Sequence, residues 1–286
     1  MTAISAPAAP ARWLAWGRRN KLSTAVVLSM IVLLVVFAWA LIPAFGAGAL
    51  DQNILLGAMP AGTQGHPLGT DALGRDVWLL TVAGAQTAIV GPMAIAFASI
   101  LLGLLLGLSA AYLGGWVDWI VSRFVDITLS LPSLLLAIVA AGVIGGGYWV
   151  SVAVMIVLFA PFDIRLIRSA ALARMNEPYL EAAKLLGLGR FRVMFGHLMP
   201  VIRGLVGANL FLDMAVGLVA LSSLSFLGLG VSPQQADWGR QLNDARALLF
   251  INPAAAIAPG LAIVLTAIAF NLVGDWLAER SGVAEG

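Results

Sequence analysis

Cysteine is absent from the 286 residues and His occurs only twice. Neither a disulfide framework nor a thiolate metal site is therefore available. His66 and His197 fall in different loops with no nucleophile and base arranged around them, so no catalytic residue and no metal site is assigned. The sequence also lacks a G-x-x-x-x-G-K-[ST] phosphate loop, so the chain does not bind and hydrolyse ATP by that device. Charge is scarce as well: Asp, Glu, Lys and Arg make up 10% of the residues, against about a quarter in a typical globular domain. What replaces it is apolar surface. Hydrophobic residues are 61% of the chain and the mean hydropathy is +0.98, which define an integral membrane protein.

A helix needs about 20 mostly apolar residues to cross a bilayer. Runs of that kind are found at 24–44, 85–113, 124–144, 149–167, 201–221 and 254–277. The expected fold is all-α with six transmembrane helices. The organisation that follows is a tail at 1–23, a first helix at 24–44, a loop at 45–84, a five-helix core at 85–277 and a tail at 278–286. Within the core, loops fall at about 174–200 and 222–253. The second run is longer than a perpendicular span requires, which implies tilt or emergence from the membrane. A cleaved signal peptide is the rival reading of the first run, since Ala47-Gly48-Ala49 resembles a cleavage site, but its apolar length exceeds the usual 7–15 residues. The Ala- and Pro-rich residues before Arg12 show no apolar period.

Positive charge is placed asymmetrically. With the N-terminus inside, only Arg75, Arg240 and Arg246 of the 16 Lys and Arg residues fall outside. The positive-inside rule then puts both termini and the 174–200 loop in the cytoplasm. Topology accounts for the basic residues, so no nucleic-acid partner is implied.

The loop between the fourth and fifth spans is amphipathic. Asn176 and Pro178 suit a helix start, and Tyr179 to Leu186 favours helix. Gly187 and Gly189 interrupt it, and a second short helix from Arg190 to about Leu198 places Phe191, Met194 and Phe195 on one side before Pro200 opens the fifth span. Apolar side chains at a water-facing loop call either for a docking partner or for lipid headgroups, and physics alone leaves both open.

Motifs in this loop and elsewhere carry a resemblance. Glu181-Ala182-Ala183, three residues, Gly187, nine residues, then His197-Leu198-Met199-Pro200 resembles the EAA loop of permease subunits of binding-protein-dependent ABC importers, with His197 and Met199 in place of the usual Ile and Leu. His at the first of those positions is similar to the dipeptide/oligopeptide/nickel branch. Three further segments resemble that branch: His66-Pro67-Leu68-Gly69-Thr70-Asp71-Ala72-Leu73-Gly74-Arg75-Asp76, the Leu224 to Val231 run with Trp238-Gly239, and Ala269 to Asp275.

The resemblance implies a type I (MetI-like) permease core in the inner membrane of a bacterium. It implies that the chain is a non-catalytic subunit forming half of a translocation pathway for peptide-like or nickel-chelate solutes. Its partners would be a second permease, two ATPase subunits that carry ATP and Mg, an extracytoplasmic binding protein, and membrane lipid. Glu181, Ala182, Ala183, Gly187, Arg190, Phe191, His197 and Pro200 would form the ATPase-coupling element, the small Ala pair permitting close approach and Gly187 the turn. A first-turn acid favoured by the helix dipole is the plain local account of Glu181.

In the extracytoplasmic motif, which includes Gly74, Asp71, Arg75 and Asp76 are expected to brace one another, the functional alternative being that this region abuts the binding protein or roofs the cavity. Trp238 is expected to anchor at the membrane interface rather than cap the path. Carboxylates in or near spans are candidates for function because burying them is costly. Asp126 is assigned a structural pair with Arg123 three residues before it. Asp163 is placed at the cytoplasmic interface beside Arg165 and Arg168, and is also a candidate for the translocation path or subunit interface. Asp213, in the middle of the fifth span, is placed on the translocation path or the subunit interface. A proton- or ion-coupled secondary transporter using these Asp residues is the alternative function, although no internal repeat is evident. Gly103 and Gly107, at G-x-x-x-G spacing, with Ala110 and Ala111, suit close helix packing within the chain or across a permease pair.

Overall fold

The computed structural model describes residues 23–281. The expectations for residues 1–22 and 282–286 lie outside that range. Nine helical segments follow in order: α1 (Thr24–Leu41), α2 (Val77–Leu113), α3 (Gly115–Leu129), α4 (Ser133–Ile144), α5 (Tyr148–Arg174), α6 (Pro178–Leu185), α7 (Arg190–Phe226), α8 (Trp238–Asp244) and α9 (Ala254–Arg280). Among the described residues there is no strand. Five of the helices are long and apolar enough to span a bilayer: α1, α2, α5, α7 and α9.

The third expected span is not a single helix. Residues 124–144 belong to two helices, α3 and α4, bent by 85° at a short break, so that together they form at most one broken span. Leu131-Pro132 explains the break: Pro132 has no N–H for the helical ladder and disfavours the α conformation at Leu131. The second and fifth spans start earlier than hydropathy alone suggests. Asp76 caps α2, its Oδ1 accepting from Leu79 N at 3.0 Å, and so moves the start to Val77. The helix of the fifth span starts at Arg190, because Met194–Leu198 forms a π-type turn that joins Arg190–Val193 to the helix from Met199 without interruption. Pro200 in the first turn of that last stretch breaks nothing.

α7 is central. It packs against α9 and α2, while α2 also packs against α5 and α1 packs against α9 and α2. One apolar cluster joins Leu33 and Val36 of α1, Ala85 and Ile89 of α2, Leu218 of α7 and Phe270 of α9. A second joins Ile95 of α2, Met155 of α5 and Leu221 of α7. Close approach is set by glycine where α2 meets α5: a Cβ at Gly103 would sit 2.8 Å from Ile167 Cδ1, and one at Gly107 would sit 2.8 Å from the Ile164 carbonyl oxygen. The G-x-x-x-G pair is thus a packing device inside the chain. Lipid-facing sides are apolar, with Leu28, Leu34, Phe97, Leu101 and Val264 exposed on the helix surfaces.

The bundle has two distinct ends. Residues 42–76 and 227–253, with the turn at 145–147, lie at one end, here the Asp71 end. Residues 114 and 175–189 connect helices at the other, the Glu181 end. The turn at 145–147 is tied to the Asp71 end by Gly147 N donating to Leu229 O at 3.1 Å and by Ser151 Oγ donating to the same oxygen at 3.0 Å.

Candidate functional site

At the Glu181 end, α6 begins at Pro178, so Glu177 rather than Asn176 immediately precedes it, and Glu177 faces Arg174 at 3.4 Å. The helix ends in a Schellman motif. Leu188 N donates to Ala183 O at 3.2 Å, and Gly187 supplies the left-handed residue with φ of +73°. No atom lies within 4 Å of a Cβ built at Gly187, so backbone conformation alone, not crowding, favours glycine there.

The segment is rooted in the bundle. Leu180, Ala183, Val193, Met194 and Leu198 are buried against Leu108 and Ala111 of α2 and Ile167 and Ala171 of α5. Of the three apolar residues expected on one outward side, only Phe191 projects: Met194 is buried and Phe195 is half-buried, its ring centroid 4.5 Å from that of Phe191. Because α6 holds the following chain against the bundle, the helical face bearing Met194 meets protein rather than water.

The exposed apolar surface is made instead by Leu185 (89% exposed), Leu186 (80%) and Phe191 (72%), around Gly187. Sequence reasoning did not single out Leu185 and Leu186, although two consecutive Leu just before a helix-ending Gly is a readable signal. Ala182 and Arg190 are exposed and Ala183 is buried. His197 is half-buried with Nδ1 3.2 Å from the Arg192 carbonyl oxygen, and Pro200 is exposed. Glu181 lies within α6, but its side chain is outside the described set.

Two ion pairs hold α3 against α5 near this end. Arg168 binds Asp118 in bidentate fashion, with Nη2 2.7 Å from Oδ2 and Nε on Oδ1. Arg165 Nη2 binds Asp126 Oδ1 at 3.2 Å. The expected Arg123–Asp126 pair is therefore corrected. Asp126 turns to a cation on a neighbouring helix, a partner that spacing along one helix does not disclose.

At the Asp71 end, charge is buried and tightly matched. Arg75 Nη2 and Nε each lie 2.6 Å from Asp71 Oδ2, and Asp71 Oδ1 accepts from Leu73 N and Arg75 N at 2.9 Å each. Asp76 Oδ2 lies 2.6 Å from His66 Nδ1. Gly74 takes φ of +71°, and a Cβ there would overlap the Asn53 carbonyl. From the 227–253 segment, Asp244 Oδ2 approaches Arg75 Nη2 at 3.7 Å and Asn252 Nδ2 donates to Leu68 O at 2.8 Å. Two loops far apart in sequence are thereby joined.

Trp238 is corrected most plainly. It is fully buried, and its indole Nε1 donates to Thr81 O at 2.7 Å. Gly84 makes room for the ring, since a Cβ there would lie 2.6 Å from Trp238 Cδ1. A residue enclosed between α2 and α8 cannot anchor at a lipid interface. Its neighbour Asp237 caps α8 through Arg240 N at 2.9 Å, and burial pushes its carboxyl above the ordinary carboxylate range.

Asp163 and Asp213 come together inside the bundle. Asn209 Nδ2 donates to Asp163 Oδ1 at 2.7 Å and to Asp213 Oδ2 at 2.8 Å. Asp163 is 1% exposed, so its expected place at the cytoplasmic interface is corrected: Gly103 lets α2 close over it, with a Cβ there lying 2.9 Å from Asp163 Cβ. Asn209 was the unread member. Its i, i+4 spacing to Asp213 was available from sequence, but its bond to α5 was not. Asp275 is exposed on α9.

Among the described residues, an all-helical bundle with five to six apolar spans, an exposed apolar knob at one end and an ion-paired cap at the other describes a multi-pass membrane protein. Residues 99–282 match the family model described as binding-protein-dependent transport system inner membrane component, and the chain belongs to that family. It is an inner-membrane permease subunit of such a system. It is 34% identical over 272 residues to the glutathione transport system permease protein GsiD of Pectobacterium atrosepticum, covering 92% of this chain and 88% of that protein. It is 31% identical over 265 residues to the dipeptide transport system permease protein DppC of Alkalihalophilus pseudofirmus, covering 92% and 86%. With GsiD of Escherichia coli O157:H7 it shares 33% over 268 residues, covering 92% and 86%. A gradient-driven secondary transporter is not favoured by this membership.

Proposed function

We propose that this chain is the membrane half-channel of an ATP-driven importer for short peptides or related peptide-like solutes, glutathione and dipeptide being the solutes named for its relatives. The observation that carries the coupling role is the Leu185, Leu186 and Phe191 surface. Three large apolar side chains stand clear of the protein on a segment whose other face is rooted in α2 and α5. Exposed clusters of this kind mark protein contacts. Two cytoplasmic ATPase subunits, holding ATP and Mg, are the proposed energy source, one of them receiving this knob beside Glu181, Ala182 and Arg190. Gly187 fixes the turn, while His197 and Pro200 continue the segment into α7.

A second permease completes the pathway, and an extracytoplasmic binding protein delivers cargo at the Asp71 end. This orientation rests on the crowding of Lys and Arg toward the Glu181 end. Asp71, Gly74, Arg75 and Asp76 shape the surface presented there, with Trp238 beneath it.

Motion of the knob is transmitted through apolar contacts rather than a hinge, since Ile167 and Ala171 of α5 and Leu108 of α2 contact the same cluster as Leu180. The test is co-purification of the complex from native membranes. Leu185→Glu with Phe191→Glu should strip the ATPase subunits while leaving the second permease bound. Retention of the ATPases at wild-type stoichiometry, with coupled transport, would refute the docking role.

A further inference from the structure

We propose that Asp163 and Asp213 hold a single proton between them, making the Asp163, Asn209 and Asp213 cluster a proton-binding site inside the helix bundle. The geometry carries this. One amide nitrogen, Asn209 Nδ2, donates to both carboxyl groups at 2.7 and 2.8 Å, so the accepting oxygens lie no further apart than the sum of those lengths. Both acceptors are carboxyl oxygens, and only the amide N–H end of Asn209 can satisfy them. The Ser99 hydroxyl also faces Asp163, and its Oγ donates to Ala96 O at 3.3 Å. Asp163 Oδ2, wholly enclosed, has no hydrogen-bond partner. A buried carboxylate oxygen without a donor is unfavourable, and a carboxyl O–H shared within the pair is the donor the site lacks.

Electrostatics points the same way. The groups facing the pair are Asp163 from α5, Asp213 and Asn209 from α7, and the buried hydroxyl of Ser99 from α2. Among the described residues no cation lies within ion-pairing distance of either carboxylate. Arg165 and Arg168, close along α5, are engaged by Asp126 and Asp118. The titratable groups of α9, Asp275, Glu279 and Arg280, lie toward its Glu181 end. Two ionised carboxylates this close in a poorly solvated interior repel strongly, and one proton removes the repulsion while leaving a hydrogen bond.

A metal cation fits less well than a proton. Asn209 presents N–H groups, which repel a cation, and among the described residues no group of three His, Cys, Asp or Glu side chains could hold a metal. The shared proton has a structural consequence. It lets α5 and α7 close on each other where Gly103 brings α2 against Asp163. Enclosure of Asp163 on the α2 side makes this a resident proton rather than a step in a relay.

The experiment is infrared difference spectroscopy of the purified complex in lipid nanodiscs at neutral pH. The wild type is compared with Asp213→Asn and with the double variant Asp163→Asn/Asp213→Asn, which removes both charges and keeps the side-chain shapes. A protonated-carboxyl C=O stretching band is expected in the wild type. It should shift in D2O, be lost in both variants, and disappear on alkaline titration. Absence of that band from the difference spectra overturns the proposal. So does a band that vanishes on adding sodium or potassium at constant pH, which would make the ligand a metal cation. Should Asp213→Asn fail to assemble, the double variant gives the same reading.

Discussion

Replacing Arg75 with Met tests whether the Asp71 end is held by its buried ion pair. Both side chains are largely enclosed, and Arg75 meets Asp71 Oδ2 through two nitrogens at 2.6 Å. Removing one partner of such a pair typically costs about 3–5 kcal/mol, because the remaining charge is left buried and unpaired. Asp71 would keep two backbone donors, Leu73 N and Arg75 N. These retained bonds place the expected loss at the lower end, about 3 kcal/mol. Changing Asp71→Asn together with Arg75→Met removes both charges and should recover about 2 kcal/mol of that loss, roughly a thirtyfold change in the unfolding equilibrium. The assay is denaturation of the solubilised chain, followed by tryptophan fluorescence, for the wild type, both single variants and the double variant. A loss below about 0.5 kcal/mol for Arg75→Met, or single-variant losses that simply add, would refute the brace.

Three further outcomes are expected. Gly187→Ala should destabilise the α6 terminus by about 1–2 kcal/mol, since φ of +73° is strained for Ala; hydrogen exchange should accelerate at residues 178–188 while the global melting temperature holds. Trp238→Phe leaves the Thr81 carbonyl without its 2.7 Å partner and should cost about 1–3 kcal/mol, and Trp238→Ala about 3–5 kcal/mol, read by the same denaturation assay. Burial raises the Asp237 carboxyl above the ordinary carboxylate range, so its favourable contribution is complete below the unfolded value of about 3.9 and is lost as pH rises through the raised one; thermal melts across that window should show a decline that Asp237→Asn flattens.

Much of the architecture was legible because a bilayer imposes a length and an apolar content on anything that crosses it. The four segments at 24–44, 149–167, 201–221 and 254–277 correspond to the helices α1, α5, α7 and α9. The run at 124–144 reads as one span because hydropathy sums over a window and is blind to the direction change at Leu131-Pro132. Local stop signals were equally readable: the conformation of Gly187 and the α2 cap at Asp76 each depend on a few neighbouring residues.

Partnership across helices was not legible. Asp126 binds Arg165 rather than the nearby Arg123, Asp163 meets Asp213 through Asn209, and Trp238 lies against Gly84 instead of lipid. Each outcome depends on the rotation of one helix relative to another, which is set by packing over the whole contact and not by residues near in sequence. Sequence alone settled that this chain lives in a membrane, which apolar runs become helices, and where glycine ends the first helix of the 174–200 loop. Only the tertiary structure decided which charges are paired, which aromatic is enclosed, and which apolar side chains of that loop remain free for a partner.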